Sequence, residues 1–561
     1  MITFWEHFCR LLVRRPLPAL EALYWHLTKR KVRARNRLLA ATGDLAFAYK
    51  LWMKQTERNP ALELQFRAAM LDWPFRPRFS VLLLGGANGS AGDRKRSLAS
   101  IDRQIYRASS LIDEEIDSIG RALTIAEGDY VVPLRIGDAL SETCLYRFAE
   151  ALQDRKQPGI LYGDHDHLDR QGRRTRPWFK PDWNEEMFFA HDYLSPAVAI
   201  AGKLAREAVE AIGPAADDLS ALMLAATARA EIIEHVPHIL CHVEDASDEP
   251  TPSRLDAVAK HLESSGASCT AGAFGTVKVN WPLPRHLPLV SIIIPTKDKA
   301  DLLEACVEGV LERTAYANFE VLIVDNGSVE KKTLAYLSAK VADPRVEVLP
   351  YPGPYNFSAI NNFAAKAARG EFLCLLNNDT EIIEPDWLTE MMRYAVRQDV
   401  GAVGAKLLYA DASIQHAGVV VGVGGAAGHA HRFLSADEPG YFRQAHVAQF
   451  VTAVTAACLV VAKSKFVAVD GLDEKELAVA FNDVDLCLKL QSAGCRNVYV
   501  PHAILVHHES KSRGSDTSPQ HIDRYRRELR VLQERWGTAT YKDPLHNPNL
   551  DRYSEKFVIR L

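Results

Sequence analysis

The stretch Leu289-Val-Ser-Ile-Ile-Ile-Pro-Thr-Lys-Asp298 decides the fold of this chain. Its first six residues, apolar but for Ser291, run without a break into Pro295, Thr296 and Asp298, and so read as a strand buried on both faces that ends in a turn. Leu302, Leu303, Cys306, Val307 and Val310 follow at the spacing of one helix face. The βα unit then repeats. A strand at Phe319 to Val324 ends in Asp325-Asn-Gly-Ser328, and another at Val346 to Leu349 precedes a helix from about Phe357 to Ala368. A further strand at Phe372 to Leu376 ends in Asn377-Asn-Asp379.

Strands alternating with helices predict an α/β fold, with a mostly parallel, Rossmann-like sheet covered on both faces. In such sheets ligands sit beyond the carboxyl ends of the strands. Asp298, Asp325, Asn326, Asn377, Asn378 and Asp379 all follow strand ends, so three loops converge on one crevice.

Upstream, the prolines of Trp281-Pro-Leu-Pro-Arg-His-Leu-Pro288 favour extended backbone and mark a linker. Before it lies a worn copy of the same plan. Ser80-Val-Leu-Leu-Leu84 matches Ser291-Ile-Ile-Ile-Pro295, and Gly128-Asp-Tyr-Val-Val-Pro-Leu134 matches Gly370-Glu-Phe-Leu-Cys-Leu-Leu376. After that strand the first copy reads Arg135-Ile-Gly137 where the second reads Asn377-Asn-Asp379, so Gly137 stands at the carboxylate's place, with Asp138 one residue on. Asp164-His-Asp166 resembles a metal motif, but a structural or acceptor-holding half is the reading preferred. A length of 561 residues suits two large domains with extensions. The expected division is a basic helical extension at 1–75, the worn module at 76–280, the linker at 281–288, the working module at 289–511 and a helical tail at 512–561.

Composition bounds the function classes. With 47% apolar and 25% charged residues the chain is an ordinary globular protein. A formal net charge of -4 argues against nucleic acid as partner, because phosphate neutralisation needs a basic surface. The nine cysteines lie far apart with no CxxC pair, which predicts buried thiols in a reducing compartment. No run reaches the ~18 apolar residues of a membrane-spanning helix. Glu6, His7 and Arg10 interrupt the early apolar run and no small-residue cleavage site follows, so a cytoplasmic address is expected. Residues 4–39 mix Trp5, Phe8, Leu11, Leu20 and Trp25 with Arg14, Arg15, Lys29, Arg30, Lys31, Arg33, Arg35 and Arg37. They read either as an amphipathic basic helix lying on anionic lipid at the inner face of the cell membrane, or as a helical hairpin packed on the next domain.

Asp379, at the end of a buried strand, suits a hard divalent cation, which prefers oxygen ligands; the alternative is a helix cap before Pro385-Asp-Trp387. In Phe481-Asn-Asp-Val-Asp-Leu-Cys-Leu-Lys-Leu490, Asp483 and Asp485 open an apolar helix, where carboxylates commonly serve the helix dipole. A strand at Asn497 to Val500 then leads to Val506-His-His-Glu509, which places His507 and His508 after it.

Taken together, Val290-Ser-Ile-Ile-Ile-Pro-Thr296, Val324-Asp-Asn-Gly-Ser328, Leu375-Leu-Asn-Asn-Asp-Thr380, Asn482-Asp-Val-Asp-Leu-Cys-Leu488 and His507 resemble glycosyltransferase family 2, in particular its bacterial rhamnosyltransferase-like, O-antigen and exopolysaccharide branch. The resemblance covers about Leu289 to Ser510. It implies a GT-A fold, here as two GT-A-like modules with helical extensions, and an inverting transfer of sugar from a UDP- or dTDP-linked donor to a glycan or lipid-linked saccharide in cell-surface polysaccharide biosynthesis. By position it assigns Pro295, Thr296, Asp298, Asp325, Asn326 and Asn378 to the nucleotide, and Asn377, Asp379 and His507 to Mn²⁺ or Mg²⁺. Asp483 falls at the general base. Many relatives carry an acidic residue where this chain has Asn377, which lowers the ligand charge. The stretch from Gln415-His-Ala-Gly418 to His429-Ala-His-Arg432 resembles the branch's flexible loop near donor or acceptor, and Trp178 and Trp183 suit either glycan stacking or a core.

Two rivals are weighed. A dehydrogenase or P-loop enzyme would need GxGxxG or GxxxxGK[ST] after the strand Val290 to Ile294, and neither is there. A non-catalytic glycan-binding or scaffold protein is the alternative, against which the presence of Asp379, Asp483 and His507 in the second half argues.

Overall fold

Two β-sheets, one in each half of the chain, share a single strand order. The computed structural model describes residues 4–28, 34, 37–38, 41–43, 47–57, 60–85, 90–113, 119–154, 156–213, 218–244, 252–508 and 521–561. In the first half, β1 (Phe79–Leu84), β2 (Ser110–Ile112), β3 (Tyr130–Arg135), β4 (Ala139–Leu140), β5 (Ile160–Leu168), β6 (Arg174–Trp178), β7 (Val198–Ala201) and β8 (Ile233–Glu244) lie in the order β2-β1-β3-β7-β5-β8-β4, with β6 on β5. A hairpin of β9 (Ser268–Ala271) and β10 (Val277–Asn280) leads to the linker.

The second half brings β11 (Val290–Thr296), β12 (Phe319–Asp325), β13 (Val346–Pro350), β14 (Phe372–Leu376), β15 (Thr380–Ile382), β16 (Val400–Leu408) and β17 (Ile414–His416). After the hairpin β18 (Val419–Val421) and β19 (Ala427–His429) come β20 (Gln449–Val451), β21 (Cys458–Ala462) and β22 (Arg496–His507). Their order, β13-β12-β11-β14-β21-β16-β22-β15 with β17 on β16, repeats the first sheet strand for strand, in parallel and antiparallel sense alike, with β13 added at one edge and β20 paired to β22.

The expected parallel order holds across β13-β12-β11-β14. Beyond β14 the sheet is mixed, because β21 runs antiparallel to both β14 and β16. The matched sequence words coincide in register: Ser80 lies opposite Val131, and Ser291 opposite Leu373. Gly128 N donates to Ser80 Oγ and Gly370 N to Ser291 Oγ, each at 2.8 Å. A Cβ on Gly370 would come within 2.6 Å of Ser291 Oγ, so only glycine permits this approach.

The two halves diverge where the second one has its strand-end acid. Thr380 pairs with His507 and Ala139 with His242, so counting back from the edge strand it is Asp138 that matches Asp379. Asp138 Oδ1 accepts from Glu244 N at 2.9 Å, and burial raises its carboxyl to about 6. His242 Nδ1 lies 2.6 Å from Asp166 Oδ1. The Asp164-His-Asp166 motif is interior wiring. Asp164 accepts from Lys180 N at 2.8 Å and Asn547 Nδ2 at 3.0 Å, and Asp166 from Tyr49 Oη and Arg174 Nε at 2.5 Å. Trp178 is a core residue, stacked on Phe442 with centroids 4.2 Å apart, and Trp183 is half-buried against Phe188.

The halves form one body. Glu186, buried, pairs with Arg397, whose guanidinium lies 4.4 Å over the Trp281 ring, and Asn184 Nδ2 donates to Phe450 O at 2.8 Å. Residues 521–561 strap across both. Val421 N donates to Asp543 Oδ2 at 2.7 Å, while Asn547 reaches Asp164 in the first half. All nine cysteines are unpaired; Cys9 is exposed, Cys269 and Cys495 half-buried, and the other six buried, so the expectation of buried thiols fails at those three places.

At the N-terminus the helices Phe4–Arg14 and Pro16–Leu27 pack on each other through Leu11, Ala19 and Ala22. Val13 (87% exposed), Leu17 (75%) and Leu27 (71%) face outward. Lys29, Arg30, Lys31, Arg33, Arg35 and Leu39 lie outside the described residues. Among the described residues no helix is long and apolar enough to cross a membrane.

Candidate active site

The carboxyl ends of β11, β12 and β14 open onto a cavity of about 1140 Å³. Pro295, Thr296, Asp298, Asn326, Asn377, Asn378, Asp379, Asp483 and His507 all line it. Of the sequence-predicted residues Asp325 is the one the wall replaces by its neighbour: Asp325 is half-buried, with Oδ1 accepting from Ser328 N at 2.9 Å, and Asn326 stands at the cavity.

On the loops that follow β11, β12 and β14, most polar atoms serve the loops themselves. Asp298 Oδ1 accepts from Val329 N at 2.7 Å and Glu330 N at 2.9 Å, and these backbone N–H groups hold its carboxyl below the ordinary range. The carboxylate therefore ties the β11 turn to the β12 turn. Asn378 Nδ2 donates to Thr296 Oγ1 at 3.0 Å. Asn326 Nδ2 donates to Tyr351 O at 2.9 Å and Gly353 O at 3.2 Å, which leaves Oδ1 a buried acceptor without a hydrogen-bond partner. Lys297 and Lys299 add positive charge to the same wall.

Asp379 and His507 meet because β15 pairs with β22, Thr380 standing opposite His507. Both are nearly buried. The cap alternative for Asp379 does not hold, since the following helix, Trp387–Ala395, has Asp386 at its N-cap. His507 Nδ1 is 2.6 Å from Gln415 Oε1. An amide carbonyl only accepts, so Nδ1 carries a proton, and in the neutral imidazole Nε2 then presents its lone pair. That lone pair faces Asp379 Oδ1 at 3.1 Å and Asn377 Nδ2 at 3.1 Å. In that neutral form a carboxylate oxygen and an imidazole lone pair face each other in a place nearly closed to water, a donor set that fits a divalent cation. Asn377 joins as a ligand only with its amide turned to present Oδ1. Among the described residues no three His, Cys, Asp or Glu side chains converge as a complete metal cage, so oxygens from elsewhere would have to fill the shell.

Asp483 opens the helix Asn482–Ser492. Its Oδ2 accepts from Ala456 N at 3.1 Å and its Oδ1 from Val484 N at 2.8 Å. Burial outweighs these bonds and raises its carboxyl above the ordinary value. Asp485, two residues on, is wholly buried and structural: Arg535 Nη1 at 2.8 Å and Trp536 Nε1 at 2.9 Å donate to it. Environment thus separates two acids that look alike in sequence.

Several cavity residues carry no sequence signal of their own. Gln415 lay in the loop expected near donor or acceptor, but its role in setting the His507 tautomer needs the β16–β17 pairing. His429 sits on the cavity wall with Nδ1 2.9 Å from Nδ1 of buried His416, and Arg432 lines the same side. His521, Arg524 and Tyr525 enter from the helix Ile522–Trp536, which sequence reading set aside as a tail.

These features define a polar cavity at the strand ends of an α/β sheet, with two acids and an imidazole on its wall. Residues 291–420 match the model of glycosyl transferase family 2. Over 456 residues the chain is 40% identical to the uncharacterized protein y4gI of Sinorhizobium fredii, covering 78% of this chain and 50% of that protein. Over 441 residues it is 36% identical to the O-antigen biosynthesis protein RfbC of Myxococcus xanthus, covering 75% of this chain and 34% of that protein. The chain thus spans half of one relative and about a third of the other. A solved mannosyltransferase from Pyrobaculum calidifontis, in complex with GDP-Man and Mn²⁺, is similar over 48% of this chain and 70% of that one, at 17% identity and a TM-score of 0.34.

Proposed function

We propose that the second half transfers a sugar from a UDP- or dTDP-linked donor to a hydroxyl of a growing glycan or lipid-linked saccharide, with inversion, as a step of cell-surface polysaccharide biosynthesis. The observation that carries this reading is the convergence of Asp379, His507 and Asp483 on one cavity with the strand-end loops. Similarity to an O-antigen biosynthesis protein supports the setting.

In this reading the nucleotide lies against Pro295, Thr296, Asn326 and Asn378, where the unpartnered Asn326 Oδ1 offers an acceptor to an N–H of the base. Asp325 contributes from the end of β12. Asp379 and His507, with Asn377, would hold Mn²⁺ or Mg²⁺, whose charge would stabilise the departing diphosphate. Asp483, as carboxylate, takes the proton of the acceptor hydroxyl while that oxygen bonds to the anomeric carbon and the bond to the diphosphate oxygen breaks. Attack opposite the leaving group inverts the centre. The outward-facing Val13, Leu17 and Leu27, beside Arg14 and Arg15, support peripheral contact with an anionic membrane at its inner, cytoplasmic face.

A thermal-shift screen of UDP-, dTDP- and GDP-sugars with and without Mn²⁺ tests the reading. A matching donor at about 100 times its Kd should stabilise the fold by roughly 2.7 kcal/mol. If no nucleotide sugar raises the melting temperature, the reading fails.

A further inference from the structure

The cavity that Asp483 lines is also lined by Phe481, by His521 at the N-cap of the helix Ile522–Trp536, and by Arg524 and Tyr525 on its first turn. None of these four lies within the family-model match. We infer that they form an acceptor subsite for a saccharide. One pyranose ring lies with its C–H face against Tyr525 and Phe481 and turns its hydroxyls toward Arg524 and His521. This rests on the sugar-transfer reading of the same cavity.

Placement comes first. The nucleotide loops stand at the ends of β11, β12 and β14, while Asp483 must touch the acceptor hydroxyl. The acceptor therefore occupies the Asp483 side of the cavity, and Phe481 is two residues from Asp483.

The wall there is rigidly built. Glu528 accepts from Val479 N at 3.1 Å and Ala480 N at 2.9 Å, which holds the backbone leading into Phe481, and its carboxylate also binds Arg524 Nη1 at 2.8 Å. Arg535 and Trp536 clamp the same helix to buried Asp485. The helix and the Asp483 helix thus form one unit, and side chains on its first turn keep a set position relative to Asp483.

The chemistry points to a sugar. Phe481 has a φ of 63°, a conformation an aromatic residue keeps only where its surroundings hold it. Its ring centroid is 5.3 Å from that of Tyr525, the rings are inclined at 44°, and both residues are half-buried at the cavity wall. Two partly open aromatic faces beside a guanidinium and an imidazole match a molecule with one apolar face and a hydroxyl rim. A bare lipid phosphate has no ring to set against them.

The test uses the full chain and saturation-transfer NMR with three probes, methyl β-D-glucopyranoside, methyl β-D-galactopyranoside and methyl α-L-rhamnopyranoside, with UDP and dTDP titrated separately. At least one pyranoside should receive saturation, strongest at its ring C–H protons. Tyr525→Ala should weaken it by about three- to tenfold, Tyr525→Phe should restore it, and Arg524→Gln should weaken it by about the same factor. Nucleotide binding should be unchanged in all three variants. Failure of every pyranoside to bind the wild-type protein, or equal binding by Tyr525→Ala, overturns the subsite. Pyranoside binding without nucleotide binding would instead sink the sugar-transfer reading and leave the subsite standing.

Discussion

Replacing Asp483 by Asn removes one charge and one acceptor oxygen from a place where two backbone N–H groups converge. Ala456 N and Val484 N each donate to a different carboxylate oxygen. Asn has a single acceptor, so one of those N–H groups loses its partner, at a cost of about 1–3 kcal/mol. A second effect opposes this one. Burial raises the Asp483 carboxyl, so the folded state holds a proton more tightly than the unfolded state, and stability falls as pH rises through the window between the two values. At neutral pH the carboxylate therefore weakens the fold slightly, and Asn relieves that. The two contributions offset, and the melting temperature should move by only a few degrees.

Catalysis should respond much more strongly. General-base assistance contributes about 10²- to 10⁴-fold, or roughly 2.7–5.4 kcal/mol at about 1.36 kcal/mol per decade. The assay is single-turnover transfer at saturating donor, with UDP or dTDP affinity measured in parallel. Transfer should drop by at least about a hundredfold while nucleotide affinity stays within about twofold. In the wild-type protein, the rate should fall on acidification at a pH above the ordinary carboxylate range, because the base must be ionised. Asp483→Asn should lack that limb in whatever activity remains. Transfer at the wild-type rate by Asp483→Asn would refute the base assignment.

Dialysis against a chelator should abolish transfer and Mn²⁺ or Mg²⁺ should restore it; chelator-resistant turnover would contradict the roles of Asp379 and His507. Gln415→Leu removes the acceptor that fixes the His507 tautomer and should weaken metal affinity by about 10- to 100-fold, measured by titrating Mn²⁺ back into the stripped protein. Flotation with vesicles containing anionic lipid should recover the full chain, with recovery falling when Val13, Leu17 and Leu27 are changed to Ser. Equal recovery with neutral vesicles would count against an anionic surface.

The sheet of the second half was legible because its strands are buried on both faces. Unbroken apolar runs such as Ile292–Ile294 and Phe372–Leu376 have one reading when turn residues follow them, and their ends placed the loops that line the cavity. The duplication was legible too, since Ser80 and Gly128 repeat a contact that Ser291 and Gly370 make and that tolerates no side chain on the glycine. What escaped were the roles that hydrogen-bond partners distant in the chain impose. Nothing local separates Asp483 from Asp485, yet Arg535 and Trp536, some fifty residues on, make one of them structural. Asp298 carries the same strand-end signal as Asp379, but its carboxylate is spent on the backbone of residues 329 and 330.

The sequence by itself therefore determined the parallel part of the sheet, its repetition and the polar residues at its strand ends, because burial pattern and turn chemistry are local. Only the tertiary structure decided which of those polar residues face the cavity, that Gln415 orients His507 toward Asp379, and that the C-terminal helix completes the wall beside Asp483. Those outcomes depend on which hydrogen-bond partner reaches each buried group first, and that is set by pairing between strands and helices far apart in the chain.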